Sequence, residues 1–186
     1  LLSLFFLGNW NPTAYAQART TQQIPIAAFQ SMDADRFRSL QQLTQEVSLL
    51  SNLEFAAPQR LKSYEEIWKY SVVFGGNSKN FSSMTDQEAL LVRDYLDRGG
   101  LIVFDDPLAM KNSSFFKKVS KEMQKVLPGR DFKAVPRDNV LFRTFYLLQE
   151  VSGRKLNSST IEGIELDGRW VVLYSFNDLL GAVLRK

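Results

Sequence analysis

The sequence contains no cysteine and no histidine. The first absence removes thiol nucleophiles, disulfides and thiolate metal sites. The second removes the usual general base and the commonest nitrogen ligand for metals. A cysteine hydrolase or a serine–histidine hydrolase cannot be assembled from such a chain. A strong charge bias is missing too. Lys+Arg 23 against Asp+Glu 20 gives a net charge of +3, too slight to indicate nucleic acid or an anionic lipid surface as partner. No run reaches the roughly 20 apolar residues that span a bilayer, so no transmembrane span is expected in the mature chain. What remains is ordinary globular composition, 45% hydrophobic and 23% charged over 186 residues. That length fits one domain by the usual allowance of about 100–200 residues each.

The first residues read as a targeting segment. Leu1–Leu7 is a short apolar run, followed by the helix-breaking Gly8–Pro12 and then Ala14-Tyr15-Ala16. An apolar core, a breaker and an A-x-A site are the parts of a secretory signal peptide. Its basic start is missing, so residues 1–16 are expected to be part of a signal cleaved after Ala16. The mature domain would be 17–186, placed in the periplasm or secreted.

Along the mature chain, Ile24–Phe29 has the apolar character of a strand. Phe37, Leu40, Leu43, Val47 and Leu50 recur at helical spacing behind a cap at Ser31 or Asp33. Leu53–Ala57 reads as a short strand, and Ser63-x-x-Glu66 as a capping box opening a short helix. Tyr70–Phe74 and Leu101–Phe104 are continuous apolar runs of strand length. Between them, Thr85-x-x-Glu88 opens a helix that Gly99-Gly100 ends. Strand, helix and strand, with strands apolar on both faces, predict a βαβ unit in a parallel sheet covered on both sides. Ser113 or Ser114 starts a further helix. Arg130–Leu148 reads as loop with the aromatic anchors Phe132, Phe142, Phe145 and Tyr146. Ile161–Leu166 and Trp170–Tyr174 form a hairpin turning at Asp167-Gly168. Asn177 or Asp178 caps a last helix, Leu179–Leu184. The fold class is a single three-layer α/β domain with a mostly parallel sheet and a C-terminal β-hairpin.

Several of these segments, in this order, resemble the bacterial domain of unknown function 4159. They are Tyr70–Gly76, Thr85-Asp-Gln-Glu88, Leu96–Asp106, Val126-Leu-Pro-Gly129, Asp138–Phe142 with Tyr146, and Asp167–Asp178. The resemblance runs from about Ile24 to the C-terminus. It implies a class I glutamine amidotransferase-like, flavodoxin-like fold, with members exported or membrane-attached and no established activity. They are often encoded near proteins of the aerotolerance type and von Willebrand A-like domains. Two departures stand out. Asn139-Val140 replaces the family's usual His-Pro, and the family domain usually continues past the last Asp, so the final helix is expected to be incomplete.

An amidotransferase needs a cysteine and a histidine, and neither exists here. A Ser78–Lys79 pair is a poor substitute, because adjacent loop residues rarely face one another. Ligands of open α/β sheets bind where the strands end. Three such ends are polar in this chain: Gly75-Gly76-Asn77, Asp105-Asp106 and Asn177-Asp178. These seven residues are the candidate ligand-binding set. If their strands are neighbours, Asp105, Asp106 and Asp178 offer the oxygen ligands that suit Mg²⁺ or Ca²⁺, although they match no known metal loop. The competing reading is structural: Asp before Pro107 starts a turn, and Asp178 caps a helix. Lys111, Lys117, Lys118, Lys121 and Lys125 read as a solvated face, with a polyanion stripe as the minor alternative. The functional expectation is a non-catalytic binding or interaction module of the bacterial envelope with a protein partner. A metal-dependent hydrolase built on the aspartates is the alternative.

Overall fold

A computed structural model of the chain describes residues 23–79, 81–143 and 150–184. The expected signal segment and the anchors Phe145 and Tyr146 lie outside the described residues. Seven strands form one sheet: β1 (Ile26–Ala28), β2 (Gln59–Arg60), β3 (Val72–Gly75), β4 (Leu101–Asp105), β5 (Lys133–Ala134), β6 (Glu162–Leu166) and β7 (Arg169–Ser175). Their spatial order is β2-β1-β3-β4-β7-β6-β5. The first five in that order are parallel, while β6 and β5 add antiparallel edges.

Among the described residues, four α-helices cover the sheet: α1 (Ala34–Leu50), α2 (Asp86–Asp97), α3 (Ser114–Val126) and α4 (Leu179–Val183). The strands explain why both faces are covered. Ala27 of β1 enters one core cluster with Val92, Leu96, Val119 and Met123 of α2 and α3. Its neighbours Ile26 and Ala28 enter another with Leu40 of α1 and Leu180 of α4. Successive side chains of a strand point to opposite faces, so each face carries its own core. The larger core is strongly aromatic. Phe29, Phe81, Phe104, Phe115 and Tyr174 are all buried and lie ring against ring at 5.2–6.3 Å.

The two strand runs set against each other in the sequence pair directly and in parallel, from Val72↔Leu101 to Gly75↔Phe104. Helix α2 begins with both halves of its capping box, at Thr85 and Glu88. The hairpin turns through left-handed Asp167 and Gly168, with φ of 49° and 79°, as a tight primed turn requires.

Some local expectations shift. Leu53–Ala57 contributes only the bridge Ile24↔Phe55, and β2 forms two residues beyond it. Pro25 and Pro58 lack the N–H that a continuous ladder needs. The segment after Ser63 is a 3₁₀ helix, Tyr64–Lys69, without a side-chain cap. Glu66 instead accepts the Lys62 amide at 3.2 Å. Within the expected loop 130–148, Lys133–Ala134 forms β5 and Val140–Phe142 a 3₁₀ turn.

The lysine stripe is partly structural. Lys125 and Lys118 reach the buried carboxylate of Glu122 at 2.9 and 3.5 Å. Lys118 also donates to Ser83 and Lys125 to the Met84 carbonyl. Burial pushes the Glu122 carboxyl up. The Met84 amide and the two ammonium groups outweigh it, so the carboxyl sits below the usual range.

Candidate functional site

Strands β1, β3, β4 and β7 run in one direction, so the residues following them emerge at one end of the sheet. The exits of β3, β4 and β7 are neighbours: Gly75 pairs with Phe104, and Asp105 with Ser175. The structure therefore brings all seven sequence-predicted site residues to one end of the fold. It also gives each an intramolecular partner.

Asp105 ends β4 with its carboxylate buried. Its two oxygens accept the Leu179 and Leu180 amides at 2.8 Å each, the opening amides of α4. Burial pushes its carboxyl up to about 6, with neighbouring Asp178 adding to the rise and the two amides and Arg36 opposing it. Asp106 closes the next loop. One oxygen accepts the Leu108 amide at 2.9 Å, and the other accepts the Ser113 hydroxyl at 2.5 Å and the Tyr174 phenol at 2.9 Å. Ser113 in turn caps α3 by accepting the Phe116 amide at 2.9 Å. Burial, reinforced by the charge of Asp106, drives the Tyr174 phenol far above its ordinary range, so it stays a donor.

Asn177 and Asp178 hold the segment 151–158. The Asn177 side chain donates to the carbonyls of Val151 and Ser158 and accepts the amides of Asn157 and Ser158 at 2.9 Å each. Asp178 adopts a left-handed backbone, φ 54°. Its buried carboxylate accepts the Gly181 amide at 3.2 Å and lies between two guanidiniums, Arg36 at 2.8 Å and Arg154. A Cβ on Gly181 would sit 2.2 Å from that carboxylate, which is why glycine occupies the first turn of α4.

The β3 exit is packed just as closely. A Cβ on Gly75 would meet the Phe104 ring at 2.6 Å, and one on Gly76 the Asp105 carbonyl at 2.9 Å. Both glycines serve the approach of β3 to β4, and neither takes the positive φ of a phosphate-cradling turn. Asn77 donates to the Ser31 carbonyl and accepts the Lys79 amide at 2.7 Å. Asp33 starts α1 without capping it and accepts the Ser78 amide at 2.7 Å instead. Asp105, Asp106 and Asp178 thus stand at adjacent strand ends but face different donors. Among the described residues no group of three acids is arranged to hold a metal ion.

Between these braces lies a cleft of about 600 Å³. Its walls include Asp33, Arg36, Ser78, Pro107, Arg154 and Leu184. Arg36 and Arg154 were missed in the sequence reading. Arg36 left a signal: a cation in the first turn of a helix opposes the macrodipole and implies a tertiary partner. Arg154 left none. Tyr174 read only as a strand residue, although its hydroxyl completes the Asp106 network.

The layout defines an α/β domain with a mixed, mostly parallel sheet, helices on both faces, an antiparallel C-terminal hairpin and a tightly braced carboxyl end. The chain belongs to the family described as Domain of unknown function (DUF4159), which it matches over residues 19–185. No curated protein matches it.

Proposed function

We propose that this domain is a non-catalytic binding module of the bacterial envelope, periplasmic or secreted, that engages a protein partner at the carboxyl end of its sheet. One observation carries the reading. The polar side chains at the strand ends, where an α/β enzyme would keep its reactive groups, are spent on holding loops and helix ends. Asp105 caps α4, Asp106 closes the loop after β4, and Asn177 with Asp178 fixes segment 151–158. The chain also has no thiol or imidazole to activate a nucleophile. Rigid loops around an open cleft suit recognition.

The test is site-specific photocrosslinking of the full chain in envelope extracts. A photoreactive residue at Leu184, on the cleft, should give a discrete protein adduct. The same group at Leu50, exposed at the far end of α1, should not. Equal or absent labelling at both positions overturns the reading. The alternative, a divalent-metal hydrolase using Asp105, Asp106 and Asp178, rests on their adjacent strand ends. It requires millimolar Mg²⁺, Mn²⁺ or Ca²⁺ to raise the melting temperature, since a ligand at about 100 times its Kd stabilises by roughly 2.7 kcal/mol.

A further inference from the structure

Two loops rise beside the cleft. The loop after β4, residues 107–112, closes on itself. Ala109 N–H donates to the Asp106 carbonyl at 3.0 Å, and Ser113 N–H to that of Met110 at 3.1 Å. Its path uses left-handed backbone at two non-glycine residues, Ala109 (φ 51°) and Asn112 (φ 76°). Such conformations persist only where the surroundings fix them. The segment 153–158 is clamped from below by Asn177 and is joined sideways to the first loop. The Asn157 side chain donates to the Ala109 carbonyl, and Arg154 to that of Pro107 at 3.2 Å. The two loops form one ridge.

Each loop presents the same pair of side chains at its tip. Met110 is 59% exposed beside exposed Lys111, and Leu156 is 57% exposed beside exposed Lys155. Arg154 lies between them at 29% exposure. Glu162, half-buried at the start of β6, faces Lys111, and the Asp106 carboxylate lies fully buried beneath the first loop on the Leu108 amide. Asp178, below, is fully buried between its two arginines. The surface of the ridge is therefore cationic around two apolar knobs.

We propose that this ridge docks an acidic, apolar-studded peptide segment of a protein partner. Its apolar side chains would seat against Met110 and Leu156, and its carboxylates would pair with Lys111, Lys155 and the open edge of Arg154. The inference rests on the reading of this end of the sheet as a binding face, and it supplies the chemistry of the partner. Charge complementarity selects the occupant. Two apolar tips give little membrane insertion, and so few lysines attract an anionic bilayer only weakly. Flanking Asn112 and Ser159, both exposed, offer a peptide backbone hydrogen-bonding groups that a bilayer interior cannot use.

The test uses fluorescently labelled peptides of about 12 residues: one of alternating Glu and Leu, one of Ser and Leu, one of Lys and Leu. Vesicles of phosphatidylethanolamine with phosphatidylglycerol form a separate arm. The Glu–Leu peptide should bind about tenfold more tightly than the Ser–Leu peptide and weaken as salt rises. Lys111→Glu with Lys155→Glu should transfer the preference to the Lys–Leu peptide. Met110→Ser with Leu156→Ser should weaken binding of the Glu–Leu peptide about tenfold, or about 1.4 kcal/mol. All four positions are exposed, so the variants should melt with the parent. Equal affinity for the three peptides, indifference to charge reversal, or vesicle binding that depends on the same residues without peptide binding overturns the proposal. Adducts at Leu184 that persist in the ridge variants sink the ridge alone. Loss of the Leu184 adducts in the parent chain sinks the broader reading.

Discussion

Asp105 holds a charge where the fold barely tolerates one. Its carboxyl stands at about 6 in the folded chain against an ordinary 3.8, chiefly because it is buried. A raised carboxyl favours the protonated folded state. Its contribution to stability is therefore full below about pH 4 and is lost as pH rises through about 6, a difference of about 3 kcal/mol. Between pH 4 and pH 7, urea denaturation should show the parent losing about 2 kcal/mol relative to Asp105→Asn, a comparison that cancels the contributions of the other carboxylates. An unchanged pH dependence in the variant would contradict the assignment. Asp178 lies between two guanidiniums, those of Arg36 and Arg154. Asp178→Ala should cost about 3–5 kcal/mol by leaving Arg36 and Arg154 without their shared anion. Asp178→Asn should cost less, because Asn tolerates the left-handed backbone and still accepts the Gly181 amide. Chemical denaturation of the two variants compares them. These acids were legible as strand-end residues. The direction of their carboxylates was not, because it depends on Arg36, 142 positions away in sequence from Asp178, and on amides of a helix that the aspartates themselves help to start.

The elements that sequence reasoning located best are those whose signals are local. The capping box at Thr85 and Glu88 forms as its spacing implies, with the Glu88 amide on the Thr85 hydroxyl at 3.2 Å and the Thr85 amide on the Glu88 carboxylate at 2.7 Å. Thr85→Ala should lower stability by about 1 kcal/mol with the fold intact, read as a shift in denaturation midpoint without a change of slope. The same pattern at Ser63 opens only a 3₁₀ helix of 6 residues, and its Glu66 carboxylate folds back one residue beyond the cap, onto the Lys62 amide. The Asp167-Gly168 hairpin and the β3–β4 pair were equally readable, being set by a turn and by apolar runs. Strand β5 and β2 were not. They have 2 residues each and take their identity from the neighbour they pair with rather than from their own side chains.

Across the whole molecule, the sheet order separates neighbours in space from neighbours in sequence. Strand β7, last in sequence of the described strands, lies between β4 and β6. It covers β4 from Ile102↔Val172 to Asp105↔Ser175 and holds β6 on its other side. A chain ending before Arg169 should therefore fail to fold cooperatively, even though it retains α1, α2 and α3. Circular dichroism melting would check this, and a cooperative transition in the truncated chain would count against it. A ribosome delivers residues in order, so the growing polypeptide keeps an open edge along β4 until Arg169–Ser175 has been made. Until then Asp106 lacks the Tyr174 hydroxyl and Asp105 lacks the α4 amides, which leaves both carboxylates hydrated. The core of this domain therefore cannot close until β7 and α4 have followed the strands and helices they join.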